Sequence, residues 1–288
     1  MASTREIRRR IRSVRNMSQI TRAMEMVSAA KMRKAQQRVV AARPYADKLR
    51  EVIGDLSSIS ADPAALAQFP LLAPRKQIKA VGIILITPDR GLTGALNTNI
   101  RRRASKYITQ DAGVPVEVVA AGKKGRDFMV RTGQNVVAEF TGLGETIRLD
   151  DVRSVADVVI QDFLDEKIDA VYVIYAEYVN TLTQRPIVKQ LLPIEPPQET
   201  SGYSDYIFEP NGRDVLQAIL PRYAEVQLYQ AFLESVASEQ SARMVAMKNA
   251  TENAKDLVAS LSLTYNKARQ AQITQEVAEI AAGANALG

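Results

Sequence analysis

The chain has 288 residues, with no cysteine and no histidine, and its formal net charge is +6. Disulfides and thiol catalysis are therefore excluded, and a zinc site or a histidine-based catalytic relay cannot be built. The apolar content of 46% and charged content of 24% are typical of a soluble globular protein. No run of 18 apolar residues occurs, so no membrane span is predicted.

The positive charge is concentrated at the N-terminus. Residues 1–50 contain 14 Lys and Arg against three acids, whereas residues 51–288 contain 24 basic and 29 acidic residues. This pattern fits a solvated helix face, and it also fits a surface for an acidic partner. A nucleic acid would match such a surface as well as an acidic protein would.

Helix breakers divide the sequence into three parts. Of the 14 Gly, 11 lie between Gly82 and Gly212, and ten of the 12 Pro lie between Pro63 and Pro210. We therefore predict an N-terminal helix over 1–60, a central domain over 75–210 and a C-terminal helix over 211–288. The two end helices most simply pair antiparallel as a coiled coil.

The first helix carries a narrow apolar stripe. Its members recur at steps of three and four: Ile7, Ile11, Val14, Met17, Ile20, Met24 and Val27. The stripe predicts a coiled-coil seam, with a local irregularity where two steps of three follow Val14. Pro44 removes a backbone donor, so we expect it to kink or end the helix.

The last helix is predicted to begin near Asn211, a favourable N-cap with Asp214 three residues on. Beyond residue 236 one face is lined by small side chains at four-residue spacing: Ala242, Ala246, Ala250 and Ala254. Small residues allow two helix axes to approach closely, so we assign these alanines to the seam with the first helix.

The middle part alternates predicted strands with predicted helices. Apolar runs at 78–89, 115–122, 135–142, 169–180 and 184–194 are interpreted as strands, with helices between the first four of them. The βαβ rhythm predicts a mainly parallel, three-layer, Rossmann-like α/β domain.

Two short glycine motifs resemble phosphate-binding loops, GLTG at 91–94 and AAGKKGRD at 120–127. Neither completes a dinucleotide or P-loop pattern, so tight strand-to-helix turns are the favoured interpretation. The paired acids at 150–151 and 165–166 are interpreted as helix-terminal residues. We therefore predict no catalytic residue, cofactor or metal, while a nucleotide-binding enzyme and a nucleic-acid-binding coiled coil remain the alternatives.

Several long motifs resemble a known family. They are REIRRRIRSVRNMSQITRAMEMVSAAKMRKAQ at 5–36, TPDRGLTGALN at 87–97, DYIFEP at 205–210, and SEQSARMVAMKNATENA with LTYNKARQAQITQEVAEIAAGANAL within 238–287. They look like the gamma subunit of F-type ATP synthases. The resemblance implies a non-catalytic central rotor stalk, whose partners are the alpha and beta subunits, the epsilon subunit and the ring of c subunits. It also implies a peripheral place on the cytoplasmic face of a bacterial cell membrane, with no nucleic acid bound.

The resemblance also implies contact residues. Those expected to contact beta are Met24, Arg33, Lys34, Arg269, Gln270 and Thr274, and those expected at the c-ring and epsilon base are Tyr203, Tyr206 and Glu209.

The family register places Met24 near Arg243. We therefore expect the last helix to extend unpaired over roughly its final 20 residues, a length reckoned for an antiparallel pair. Val277, Ile280, Ala281 and Ala284 would lie there against an apolar sleeve made by the partners.

Overall fold

The computed structural model describes residues 3–59, 68–144, 146–195, 209 and 211–287. They form, in chain order, α1 (Thr4–Ile59), β1 (Val81–Ile86), α2 (Leu96–Lys106), β2 (Val116–Ala121), α3 (Lys123–Arg131), β3 (Asn135–Phe140), α4 (Leu149–Leu164), β4 (Ala170–Tyr178), β5 (Gln184–Leu192) and α5 (Gly212–Leu287). The chain divides into two compact units, Met1–Ser28 with Arg243–Gly288 and Ala29–Ala242.

The Ala29–Ala242 unit contains a five-stranded sheet in the order β3-β2-β1-β4-β5. The first four strands are parallel, and β5 runs antiparallel to β4. The predicted mainly parallel α/β architecture is therefore confirmed.

The sheet is covered on both faces, which explains why all six residues of β1 are buried. Ile84 and Ile86 pack in a core with residues of α1, α4 and α5. Ile83 and Leu85 point to the other face, where they share a core with residues of α2 and α3. The alternation of side chains along a strand thus produces three layers.

Pro44 is expected to kink or end the helix, and the second alternative is wrong, because α1 passes through Pro44 and continues to Ile59. A proline inside a helix costs about 3 kcal/mol. The turns that follow bury Ala46, Ile53 and Leu56, and burying one large aliphatic side chain contributes roughly 1.5–3 kcal/mol. Tertiary packing therefore outweighs the local penalty.

Helix α5 begins where the sequence indicates. The Asn211 side-chain oxygen accepts a hydrogen bond from the Asp214 backbone N–H at 2.9 Å, which confirms the predicted N-cap. Further along, serine hydroxyls attach the helix to the sheet. Ser238 donates to the carbonyl of Ala176 at 2.9 Å, and Ser241 donates to that of Thr181 at 2.7 Å.

In the other unit, the first part of α1 buries a row of residues with strictly alternating steps. Four members are buried, Ile7, Ile11, Thr21 and Ser28, and the intervening Val14, Ser18 and Glu25 are half-buried. Steps of four and three alternate throughout the row, which is the repeat of a left-handed coiled coil. The predicted local irregularity is absent from this row.

The structure corrects part of the predicted seam. Ile20 and Val27 are 55% and 52% exposed, and Met17 is also exposed. The apolar residues Ile20 and Val27 lie on a stripe of α1 next to the buried row. The buried row itself contains the smaller polar residues Ser18, Thr21 and Ser28.

Helix α5 carries a matching row in this unit. Its members again alternate by four and three and are buried or half-buried: Met247, Thr251, Ala254, Val258, Leu261, Tyr265 and Ala268. Of the predicted seam alanines here, Ala254 is buried and Ala246 and Ala250 are half-buried, while Ala242 is buried in the Ala29–Ala242 unit.

The two rows are aligned by a hydrogen bond. The hydroxyl oxygens of Thr21 and Thr251 are 2.7 Å apart. Because the two helices run in opposite directions, a residue a given number of positions before Thr21 faces the residue the same number of positions after Thr251, and the converse holds on the other side. Met24 then faces the turn of Lys248 instead of Arg243, a shift of about five residues from the expected register. Thr4 faces the turn of Ala268 and also donates to Gln272 at 3.1 Å.

A titratable carboxyl lies between α5 and the sheet. Burial raises the pKa of Glu234 above its ordinary value; hydrogen bonding by the Tyr175 hydroxyl and the charge of Lys189 lower it by less, with smaller contributions from Glu177 and Arg43. Its Oε2 atom is buried without a hydrogen-bond partner. Folding therefore makes this carboxyl easier to protonate than it is in the unfolded chain.

We predict that Glu234→Gln raises the thermal midpoint at pH 7 by a few degrees and leaves it nearly unchanged near pH 4. Because the folded pKa of this group is raised, its stabilising contribution is present below the unfolded pKa and is lost as the pH rises. Thermal unfolding followed by circular dichroism across this pH range measures the effect. Glu252→Gln, at an exposed position of α5, is the control. Equal changes in both variants would contradict the prediction.

Candidate partner-binding surfaces

Arginines dominate the exposed surface at the start of α1. Arg5, Arg8, Arg9 and Arg12 are all exposed, and they line one shallow depression together with Ser3 and Glu6. Arg10 is paired with Glu6 at 3.0 Å. Since these two helix turns place several guanidinium groups in solvent, the surface is suited to an anionic partner.

A second surface of α1 is apolar. Met17, Ile20 and Val27 are each more than half exposed, and the half-buried Met24 lies between them. Steps of three, four and three place these four residues on one face beside the buried row. An apolar stripe left in solvent over three turns is typical of a protein-interaction surface.

The end of α5 is exposed in the described unit, apart from the hydrogen bond that Gln272 accepts from Thr4. Every described side chain from Arg269 to Gly283 is exposed, including Arg269, Gln270 and Thr274. Ile273, Val277 and Ile280 are 50%, 60% and 73% exposed, and their spacing places them on one face. A lone helix that buries no apolar face gains little stability in water, so this segment is suited to contact with another molecule.

The remaining predicted contact residues are distributed as follows. Arg33 and Lys34 are exposed on α1 in the Ala29–Ala242 unit, and Glu209 is exposed ahead of α5. Tyr203 and Tyr206 lie outside the described residues, and so does the side chain of Ala284. Sequence reasoning assigned Met17, Ile20 and Val27 to the seam and so missed them as an exposed surface. The irregular spacing after Val14 was the signal that these residues do not belong to a regular seam.

The GLTG turn is braced internally. Thr93 is buried, and its hydroxyl accepts a hydrogen bond from the Asn97 side chain at 3.1 Å. Leu92 adopts a left-handed backbone with φ of 64° and is 63% exposed. The turn therefore presents an apolar side chain to solvent.

The glycine turn before α3 is filled by a side chain of the protein itself. The Asp89 carboxylate accepts hydrogen bonds from the Lys123 backbone N–H at 2.7 Å and from that of Gly142 at 3.0 Å. It occupies the helix N-terminus at which a phosphate would sit in a nucleotide-binding loop. Asp89 therefore gives this turn a structural function.

The acidic pairs also have structural partners. Asp151 accepts the Arg148 backbone N–H at 2.9 Å, and Asp150 pairs with Arg153 at 3.4 Å, at the start of α4. Asp165 and Glu166 pair with Lys167 and Arg75 just after that helix. Within the described ranges, no group of three acidic side chains could hold a metal ion.

These observations define a class of protein that acts through exposed surfaces on paired helices. In the part of the chain that the structure describes, no helix is both long and apolar enough to cross a membrane.

Comparison with known proteins gives the family. The profile of the family described as ATP synthase matches residues 3–287. The ATP synthase gamma chain of Roseiflexus castenholzii is 58% identical over 290 residues, covering 100% of this chain and 99% of the relative. That of Chloroflexus aurantiacus is 54% identical with the same coverage. The chain therefore belongs to the ATP synthase gamma chain family, and it is a non-catalytic, peripheral subunit of a membrane complex.

Solved structures show the same fold. A chain in the Euglena gracilis mitochondrial ATP synthase structure of OSCP, F1 and c-ring aligns with a TM-score of 0.69 and 19% identity, covering 99% of this chain and 94% of the other. A chain in the Tetrahymena thermophila mitochondrial structure of the central stalk and c-ring aligns with a TM-score of 0.60 and 22% identity, covering 80% and 99%.

We predict that Gly122→Ala destabilises the chain by more than 2 kcal/mol, about the upper range for a single substitution. Gly122 has φ of 114°, and an added Cβ would collide with the carbonyl oxygen of Thr87. Gly133→Ala is the matched control, because Gly133 has φ of 70° with open space around it; it should cost about 1 kcal/mol. Urea unfolding measures both, and equal costs would contradict the prediction.

Proposed function

We propose that this chain is the central rotor shaft of an F-type ATP synthase at the cytoplasmic face of a bacterial cell membrane. Its paired helices enter the hexamer of alpha and beta subunits, and its α/β domain lies at the base with the epsilon subunit and the c-ring. Rotation of the ring by ion flow turns the shaft, which drives the catalytic beta sites through successive states. Family membership supports this proposal.

The observation that carries the proposal is the uncovered end of α5. Fifteen consecutive residues, 269–283, are exposed, although Ile273, Val277 and Ile280 form an apolar face. Partner subunits that surround this segment would cover its apolar face. Arg269, Gln270 and Thr274 would contact beta at this level, with guanidinium and amide groups suited to charged and polar partners.

The basic surface of α1 fits the same partners. Met24, Arg33 and Lys34 would pass acidic loops of the beta subunits, with exposed guanidinium and ammonium groups at the last two positions. Attraction between exposed charges is non-directional and is screened by salt, so it tolerates sliding from one beta subunit to the next. Tyr203, Tyr206 and Glu209 would contact the c-ring and the epsilon subunit at the base.

Reconstitution tests the proposal. We predict that the chain mixed with alpha and beta subunits forms a complex with ATPase activity that is absent when the chain is omitted. Arg269→Ala with Gln270→Ala should weaken assembly about fivefold to thirtyfold, as loss of central interface contacts does. Arg131→Ala, at an exposed end of α3, is the control. Full activity of the alpha and beta subunits without the chain would contradict the proposal.

The apolar stripe of α1 gives a separate prediction. Replacing Ile20 and Val27 together by Ser should weaken binding of the chain to the hexamer, by roughly tenfold, while the thermal midpoint of the chain alone stays within one degree or so, since both residues are exposed. Val130→Ser, at a 59% exposed position of α3, is the control. If these residues stabilised the seam instead, the double variant would unfold at a clearly lower temperature.

A further inference from the structure

Two threonines in the interior of the helical pair are joined directly. Thr21 and Thr251 are 7% and 4% exposed, and their hydroxyl oxygens are 2.7 Å apart. Each hydroxyl also lies near a carbonyl of its own helix, Thr21 at 3.1 Å from Ser18 and Thr251 at 2.8 Å from Met247. Since a hydroxyl has one proton, one threonine donates within its helix and accepts from the other, which donates across the pair.

We infer that Thr21 and Thr251 are a positioning pair that fixes the register of α1 against α5. Aliphatic seam residues such as Val14 and Val258 attract one another at several offsets, because the hydrophobic effect is non-directional. A buried polar residue specifies the register of a coiled coil because it needs a particular partner.

A slip of one helical turn would break this match. Thr21 would then face Ala254 or Met247, whose side chains supply no hydroxyl partner, and Thr251 would face Glu25 or Ser18 in place of Thr21. The threonine hydroxyl keeps its local carbonyl but loses the bond across the pair, a loss that corresponds to about a threefold to tenfold change in population.

The seam around this pair is poor in large apolar side chains. Ser18, Thr21 and Ser28 are consecutive or near-consecutive members of the buried row, so little apolar area is available in this stretch. Small side chains interlock weakly, since hydrophobic stabilisation is proportional to the apolar area removed from water. The hydrogen bond between Thr21 and Thr251 therefore lies where packing alone distinguishes least between one register and another.

Register has a consequence at the end of α5. A slip of one turn would move Arg269 and Ile273 by about 5.4 Å along the pair, and so change how far the uncovered segment extends beyond Thr4. The importance of this shift for subunit contact rests on the proposed function, but the positioning itself does not.

Disulfide trapping in the full chain tests the inference, and the absence of native cysteine makes introduced pairs the only thiols. Val14→Cys with Val258→Cys samples the observed register, seven residues from each threonine. Val14→Cys with Ala254→Cys, or with Ser262→Cys, samples slips of about one turn in either direction. The facing pair should oxidise fastest in the parent chain.

Replacing both threonines by valine retains the side-chain shape and removes the hydrogen bond. In that background the rate for the shifted pairs, relative to the facing pair, should rise about threefold to tenfold. Thr21→Val alone should give a similar rise, because it removes the same bond. Replacing both threonines by serine retains the hydroxyls and should restore the parent pattern.

Thermal unfolding separates positioning from simple stabilisation. The double valine variant should unfold at the same or a higher temperature, since a polar seam residue specifies register at a cost in stability. An unchanged disulfide pattern in the valine variant, with or without a lower midpoint, would overturn the inference. All measurements use the isolated chain, so a failure of reconstitution with alpha and beta subunits leaves their outcome unaffected.

Discussion

The close approach of two helices through small side chains is the constraint on which the helical unit depends. Its buried rows include alanine, serine and threonine where a globular core would place leucine or isoleucine. Such a seam buries little apolar area per turn, so it contributes less stability than a conventional core. In return, small side chains let the two helix axes approach closely, which suits a pair enclosed by other subunits. The exposed apolar stripe on α1 and the bare end of α5 are consistent with that environment.

In the α/β unit, side chains at positions that resemble a ligand-binding site instead stabilise the fold. Asp89 links the turn after β1 to the start of α3 and to the loop after β3. Thr87 accepts from the Gly125 N–H at 2.8 Å in the same region. A phosphate-binding loop needs such backbone donors to be free for a ligand. In this domain the carboxyl edge of the sheet is held by internal hydrogen bonds, as befits a protein whose function is mechanical.

Much of the fold could be predicted from the sequence because its strongest signals are local. Glycine and proline placement indicated that an α/β domain lies between the end helices, the apolar run of β1 indicated a strand covered on both faces, and Asn211 marked the start of α5. The seam could not be read in this way, since Ile20 and Thr21 are neighbours on the helix and hydrophobicity favours the wrong one. Only the facing helix decides which is buried. The passage of α1 through Pro44 likewise depends on tertiary packing of Ile53 and Leu56.

The central claim is that the chain works by turning, with no reactive group of its own. It is tested most directly by attaching a visible probe to a cysteine introduced at Val130, in a complex whose alpha and beta subunits are fixed to a surface. On addition of ATP, the account predicts rotation of the probe in one direction that stops when ATP is exhausted. Continued ATP hydrolysis with a stationary probe would contradict it.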